Sequence, residues 1–167
     1  YVKTVRDSGG HLLELINDLL DFSRMETGKL NVEEQDFDLT HVIESVMTSI
    51  QSQVQAKGLY LDLDIADRFR RYFQGDPLRL RQVLLNLMGN ALKFTQKGGI
   101  SLSVSCHGDS CAPDFDGDMS QDVDVRMEVK DTGIGISEEL MKTIFDPFSQ
   151  GEMSLTRRYG GTGLGLA

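Results

Sequence analysis

The chain has 167 residues, of which 40% are hydrophobic and 26% are charged, and this composition predicts one folded domain, or one domain with an appended element. A net charge of −9 argues against nucleic acid as a partner, because nucleic acid phosphates are bound mainly through Lys and Arg. No apolar run approaches the ~20 residues that span a bilayer, so we expect no direct membrane contact from this segment. Cys106 and Cys111 fit neither a zinc site nor a disulfide-rich scaffold, and we expect two free, reduced thiols.

The first element is an amphipathic helix. Apolar residues recur at helical spacing over residues 1–27, and Gly28 is a suitable stop. From Leu12 onward the spacing also suits a seam against other helices, although Ser8, Gly9 and Gly10 interrupt it upstream. After the helix we predict a linker or short strand over residues 28–36, with 29–33 as the candidate for the strand.

The remaining elements mix helices with strands. Asp38 is a candidate N-cap for a second helix that ends at Gly58. Period-two and helical patterns then predict, in chain order, a strand at 59–65, a helix at 77–93, antiparallel strands at 100–106 and 123–129 joined by a long loop, a glycine turn at 131–136 and a short helix from Ser137 to about Ile144. Because strands and helices do not alternate regularly, α+β is the expected class.

An amide cluster lies on the predicted third helix. Asn86 and Asn90 are four residues apart and Lys93 follows one turn later, so all three share one helix face. Amide oxygens suit Mg²⁺, which shares its coordination shell with waters and substrate phosphates. Taken alone, the same residues also fit an ordinary solvated helix face.

Two glycine clusters follow. In the first, Asp131 precedes Gly133 and Gly135, whose missing side chains let backbone approach a flat ligand, although most such strings are only tight turns. In the second, Arg157 and Arg158 precede the glycine-rich run at 160–166, where exposed amides before a helix start attract phosphate. A flexible glycine tail is the alternative for that run.

In this order and spacing, the clusters resemble the N, G1 and G2 boxes of the GHKL superfamily, with residues 145–148 as the F box. The resemblance is closest to sensor histidine kinases of the hybrid type. It covers almost the whole chain, because residues 12–30 are similar to the second helix of their dimerisation hairpin.

The resemblance implies a Bergerat fold, a two-layer α/β sandwich with helices over one face of a mixed sheet, preceded by a long dimerisation helix. It divides the chain into the second hairpin helix at 1–27, the linker at 28–36 and the catalytic ATP-binding domain at 37–167. The family has a helix and further strands after the last glycine turn, so we expect the domain to be incomplete at its C-terminus.

The resemblance also implies ATP and Mg²⁺ as cofactors. Asn90 would ligate Mg²⁺ with help from Asn86, Lys93 would meet the phosphates, and these three are the expected catalytic residues. Asp131 would accept a hydrogen bond from the adenine amino group. The other expected nucleotide-binding residues are Phe94, Gly133, Gly135, Ile136, Phe148, Arg157, Arg158, Gly161, Thr162, Gly163, Leu164, Gly165 and Leu166.

One position separates kinases from ATPases in this superfamily. The gyrase-like, mismatch-repair and chaperone ATPases have a water-activating glutamate where this chain has Asn86. An amide has no usable basicity near neutral pH, so we expect ATP to be held for an acceptor other than water. Partners implied by the resemblance are a second copy, through the hairpin helices, and a response regulator.

The family's phosphoacceptor motif does not occur in this sequence. His11, His41 and His107 lack its flanking residues, so we expect the acceptor helix upstream of Tyr1. A GHKL ATPase and a nucleotide-responsive dimerisation module without turnover remain the alternatives. The implied location is the cytoplasm, including the cytoplasmic part of a membrane-anchored sensor.

Overall fold

The computed structural model describes residues 9, 13, 16, 19–20, 23–25, 27–28, 31–66, 72–107 and 123–146. The chain divides into two compact units, Val32–Gly135 and a second made of Tyr1–Asn31 with Ile136–Ala167. The first unit contains, in order, β1 (Gln35–Asp38), α1 (Leu39–Ala56), β2 (Tyr60–Ile65), β3 (Tyr72–Gly75), α2 (Pro77–Phe94), β4 (Gly99–His107) and β5 (Asp124–Asp131). The second unit contains α3 (Glu138–Met141).

The main sheet has the strand order β2-β4-β5 among the described residues. β2 runs parallel to β4, and β4 runs antiparallel to β5, with Leu102 opposite Val129. The predicted antiparallel pair is therefore confirmed. A separate two-stranded ribbon joins β1 to β3 and sets Phe37 opposite Phe73.

The hydrophobic core lies between one face of the main sheet and the two long helices. Alternate residues of β4 are fully buried there, and α1 and α2 each contribute a buried stripe; the central residues are Ile100, Leu102, Val104, Ile43, Val46, Leu84 and Met88. The intervening β4 residues, Ser101, Ser103 and Ser105, are polar and lie on the other face. This arrangement is the predicted two-layer α+β sandwich.

Aspartates begin both long helices. The Asp38 carboxylate accepts the N–H of Thr40 at 2.9 Å, as the sequence predicts for an N-cap, and Gly58 follows the end of that helix with a φ of 67°. Asp76 caps α2 by accepting the N–H of Arg79 at 3.0 Å, and this hydrogen bond is the main cause that lowers the pKa of Asp76. α3 begins after Ser137 as predicted but ends at Met141.

The sequence leaves a short strand or a linker open at 29–33. Residues 31–34 have no regular secondary structure, as the linker alternative implies, and the strand lies at Gln35–Asp38, where pairing with β3 supplies its hydrogen bonds. β3 itself was not predicted. The expectation of free, reduced thiols is wrong, since Cys106 is disulfide-bonded. A single cysteine pair can form a bridge without belonging to a disulfide-rich scaffold. Cys111, the other cysteine, lies outside the described residues.

In the second unit, the described positions between residues 9 and 25 are helical, in agreement with the predicted first helix. The N–H of Gly28 donates to the carbonyl of Met25 at 3.0 Å, and Gly28 has a φ of 63°. The predicted stop is therefore confirmed. None of the described helices is long and apolar enough to cross a membrane.

Candidate functional site

The two faces of α2 differ in burial. Successive residues of a helix are about 100° apart, so the buried residues Leu84, Met88 and Ala91 form one face. Asn86 and Asn90 lie on the opposite face, and both are only partly exposed. These amides are therefore not needed for core packing and are available to a ligand.

Lys93 continues the Asn86–Asn90 stripe at the C-terminal end of α2. It lines a groove of about 410 Å³ between α1 and α2, and its Nζ lies 5.1 Å from the centroid of the Phe94 ring. Partial burial lowers the pKa of Lys93, because desolvation disfavours the charged amine. A bound anion at this place would restore the stabilisation that the amine loses.

The Asp131 carboxylate at the end of β5 is fixed by two contacts. Its Oδ1 accepts the N–H of Gly133 at 2.7 Å, an Asx turn, and the hydroxyl of Thr95 at 3.4 Å. Thr95 is fully buried and is the C-cap of α2. The strand end is thus joined directly to the helix that carries the asparagines.

Gly133 lies too close to its surroundings to carry a side chain. A Cβ at this position would lie 2.6 Å from the carbonyl oxygen of Phe94 and 2.6 Å from Oδ1 of Asp131. Glycine is therefore required where β5 meets the end of α2. Gly135 has a φ of 72°, the left-handed region that favours glycine, which agrees with the predicted turn.

Thr132 holds the loop between α2 and β4 against the end of β5. Its hydroxyl donates to the carbonyl of Lys97 at 2.8 Å and accepts the N–H of Gly99 at 3.0 Å. Its own N–H donates to the carbonyl of Gly99 at 3.1 Å. The sequence analysis did not assign a role to Thr95 or Thr132. The only signal in the sequence was that Thr95 directly follows Phe94 and Thr132 directly follows Asp131.

The structure thus brings the end of the Asn86–Asn90–Lys93 stripe against the turn after β5, with the Phe94 carbonyl beside Gly133 and the Thr95 hydroxyl on Asp131. Ile136 is exposed and belongs to the second unit. The remaining predicted nucleotide-binding residues lie outside the described residues; they are Phe148, Arg157, Arg158, Gly161, Thr162, Gly163, Leu164, Gly165 and Leu166.

The family of histidine kinase-, DNA gyrase B- and HSP90-like ATPases matches residues 75–167, more than half of the chain. The chain belongs to this family. The match begins immediately before the Asp76 cap and includes α2, Asp131 and the glycine-rich run.

Several relatives are named histidine kinases. The chain is 40% identical over 166 residues to the signal transduction histidine-protein kinase BarA of Escherichia coli K12, covering 99% of this chain and 17% of that protein. It is 38% identical over 167 residues to the hybrid signal transduction histidine kinase L of Dictyostelium discoideum, covering 100% of this chain and 9% of that protein. The chain therefore spans less than a fifth of the length of either relative.

Solved histidine kinase structures share the fold. Full-length ShkA in complex with AMPPNP superposes with a TM-score of 0.76 at 32% identity, over 99% of this chain and 31% of that one. The nucleotide-free catalytic domain of ThkA gives a TM-score of 0.56 at 26% identity, over 80% of this chain and 76% of that one. These matches confirm the GHKL fold and the resemblance to the ATP-binding catalytic core of hybrid histidine kinases.

Within this family, the composition of α2 is informative. The helix Pro77–Phe94 contains no aspartate or glutamate, and its outer face carries only amides and cations beside apolar residues. Asn86 lies one turn before Asn90 on that face. This catalytic core therefore has no carboxylate on α2 that could deprotonate a water molecule.

The described part of the core contains no group of three or more His, Cys, Asp or Glu side chains that could hold a metal ion. Mg²⁺ does not need such a group when it is bound together with phosphates and waters. The partly exposed amides of Asn86 and Asn90 supply oxygen donors of the type that Mg²⁺ accepts. These donors fit the expected metal.

Proposed function

We propose that this chain is the catalytic part of a two-component sensor histidine kinase, which transfers the γ-phosphate of Mg-ATP to a histidine on its dimerisation hairpin. The phosphate then passes to an aspartate of a response regulator. One observation carries the proposal most strongly: a helix with two asparagines and no carboxylate ends against the Asp131–Gly133 turn. This arrangement supports nucleotide binding without a base for hydrolysis.

Six described residues of the site have roles in this proposal. Asp131 accepts a hydrogen bond from the adenine amino group, and Gly133 and Gly135 let the backbone approach the base. Lys93 contacts the phosphates. Asn90, assisted by Asn86, holds Mg²⁺, which when bound neutralises phosphate charge.

The first helix supports assembly into a homodimer. Leu13 is 63% exposed and Leu20 is 51% exposed, and Ile16 lies between them on the same helical side. An exposed apolar stripe of this kind suits packing against further helices of a hairpin bundle. We therefore propose dimerisation through these helices.

A response regulator is the proposed downstream partner, and the cytoplasm is the proposed location. A solved structure of ThkA contains the response regulator TrrA, and at 21% identity this match supports the fold alone. The names of the relatives as hybrid and signal transduction kinases support the relay to a regulator.

A phosphotransfer assay tests the proposed reaction. The chain is incubated with radiolabelled Mg-ATP and a separate hairpin that carries the acceptor histidine. We expect acid-labile, base-stable phosphate on the hairpin and none on a hairpin whose acceptor is replaced by glutamine. Steady release of inorganic phosphate without labelled protein would instead identify an ATPase, and binding with neither product a module without turnover.

The isolated chain provides a second test. Incubated alone with Mg-ATP, it should not become phosphorylated on His11, His41 or His107, because in-line transfer requires a positioned acceptor. His41 is exposed on α1 and follows the Asp38 cap. Stoichiometric acid-labile phosphate on His11, detected by mass spectrometry, would show that the first helix is wrongly assigned.

A further inference from the structure

β2 forms one edge of the main sheet, and half of its backbone groups face outward. The N–H of Tyr60 donates to the carbonyl of Gly98, and the N–H of Ala66 donates to the carbonyl of Val104, each at 3.0 Å. In a parallel ladder, the N–H and C=O of one residue point to the same neighbouring strand. Alternate residues therefore direct theirs away from β4, and these are Leu61, Leu63 and Ile65. No described residue pairs with this edge.

A groove with one apolar and one polar side adjoins the open edge. It has a volume of about 510 Å³ and lies between α1 and β2. Its apolar lining residues are Met47, Val54, Leu59, Leu61 and Leu63, and α1 also contributes the polar residues Glu44, Thr48, Gln51 and Gln55. Leu63 is 40% exposed, although it lies on the face that the helices cover. The sandwich thus leaves part of its hydrophobic interior open beside unpaired backbone.

The opposite face of β2 is acidic. Asp62 and Asp64 are both exposed, and their register partners on β4 are the neutral Ser101 and Ser103. No described cation forms a salt bridge with either aspartate. On β5, two strands away, Arg126 and Lys130 pair instead with Glu128 at 3.9 and 3.2 Å.

We propose that β2 binds an extended segment of a partner protein in which apolar residues alternate with Lys or Arg, so that this segment adds a strand to the sheet. Successive side chains of a strand point to opposite faces. The apolar set would enter the groove beside Leu61 and Leu63, and the basic set would lie beside Asp62 and Asp64. Backbone hydrogen bonds would supply affinity, and the alternation would supply specificity.

The edge is separate from the proposed nucleotide site. β2 is two strands from β5, roughly 10 Å at the spacing of strands in a sheet. Asp62 and Asp64 have no role in the proposed nucleotide binding. The docking proposal therefore stands independently of the catalytic one.

A peptide with alternating valine and lysine, nine residues long, is the probe. Fluorescence anisotropy measures its binding to the whole chain, with a scrambled peptide of the same composition and charge as the control. Two modified peptides are then made, one with methyl groups on the odd-numbered backbone amides and one with methyl groups on the even-numbered amides. We expect one of them to bind about tenfold more weakly or worse, because it loses the hydrogen bonds to β2, and the other to bind as the parent does.

Charge reversal on the protein tests the acidic face. We expect the double variant Asp62→Lys, Asp64→Lys to bind the peptide about five- to tenfold more weakly, since two exposed ion pairs are lost and charge repulsion is added. The matched control, Glu138→Lys with Glu139→Lys, makes the same change in net charge elsewhere and should leave affinity unchanged. Thermal unfolding and Mg-ATP titration of both variants verify that fold and nucleotide site are intact.

Several outcomes would overturn the proposal. Equal binding of the scrambled peptide would mean that the acidic chain attracts any basic peptide. Equal tolerance of both N-methylated peptides would exclude strand pairing. Equal weakening by the two charge-reversal variants would remove Asp62 and Asp64 from the interaction.

Discussion

The two faces of α2 have the same backbone but follow different constraints. Leu84 and Met88 are fully buried against the sheet, so their size and apolarity follow from packing. Asn86 and Asn90 lie on the other face, where any polar residue would be compatible with the fold. The difference teaches that stability and ligand binding are separable on one helix, and the predictions below test this separation.

The largest effect is expected on the core face. Met88→Ala should lower the free energy of unfolding by about 2 to 5 kcal/mol, because it leaves a cavity where a fully buried side chain packed. Urea unfolding measures the loss. Val83→Ala, at a position that is 54% exposed, is the control and should cost much less. Equal losses at both positions would contradict the assignment of the two faces.

On the outer face, Asn90→Ala should abolish magnesium-dependent ATP binding, because the variant lacks the amide oxygen proposed as a metal ligand. The free energy of unfolding should change by no more than about 0.5 kcal/mol. Calorimetric titrations with and without Mg²⁺ measure the effect, and Gln55→Ala on the exposed side of α1 is the amide control. Unchanged Mg-ATP affinity would exclude Asn90 as a ligand.

At the turn after β5, Asp131→Asn should lower the affinity for ATP by about ten- to a hundredfold. A hydrogen bond to a charged acceptor contributes about 1.5 to 3 kcal/mol to binding. Asp124→Asn, at the opposite end of β5, is the matched control. GTP has a carbonyl where adenine has its amine, so the unmodified chain should prefer ATP. Equal affinities for ATP and GTP would contradict the role given to Asp131.

The smallest effect concerns protons on Lys93. Desolvation lowers its pKa in the free protein, and bound phosphates would raise it again. The lysine then takes up a proton when ATP binds. ATP affinity should therefore fall as the pH rises through the pKa of Lys93 in the free protein, which lies below the usual lysine value. Titrations in buffers of different ionisation heat detect this uptake.

The matched variants sharpen the test on Lys93. Lys93→Met should remove the pH dependence, and Lys97→Met, at an exposed loop position, should keep it. The same lowered pKa has a consequence for folding. Because the unfolded chain binds more protons in this pH range, the Lys93 contribution to stability should rise with pH. Identical pH profiles for the two variants would show that Lys93 does not contact the phosphates.

The sequence predicted those parts of the fold that depend on local chemistry. Asp38 begins a helix and Gly58 ends it because capping and positive φ are properties of single residues. The strand pattern of β4 and β5 was equally clear, since one face of each is apolar. The family match confirmed the resemblance on which the site residues were chosen, and the roles of those residues stay predictions.

Local sequence patterns could not predict the contacts between segments that are distant along the chain. β1 is polar apart from Phe37, and its strand geometry depends on β3, a partner more than 30 residues away. β3 has four residues and ends in glycine, so it is too short to show the alternation of apolar and polar residues that predicts a strand. The approach of Thr95 to Asp131 likewise joins residues 36 positions apart.

The contact of Thr95 with Asp131 has a thermodynamic consequence. A carboxylate whose Oδ1 is already held by a backbone N–H and a buried hydroxyl has lost much of its rotational freedom before any ligand arrives. Less conformational entropy is then lost on binding, so the site is preorganised for its ligand. Thr95→Val, which keeps the shape and removes the hydroxyl, should therefore weaken nucleotide binding mainly through its entropy.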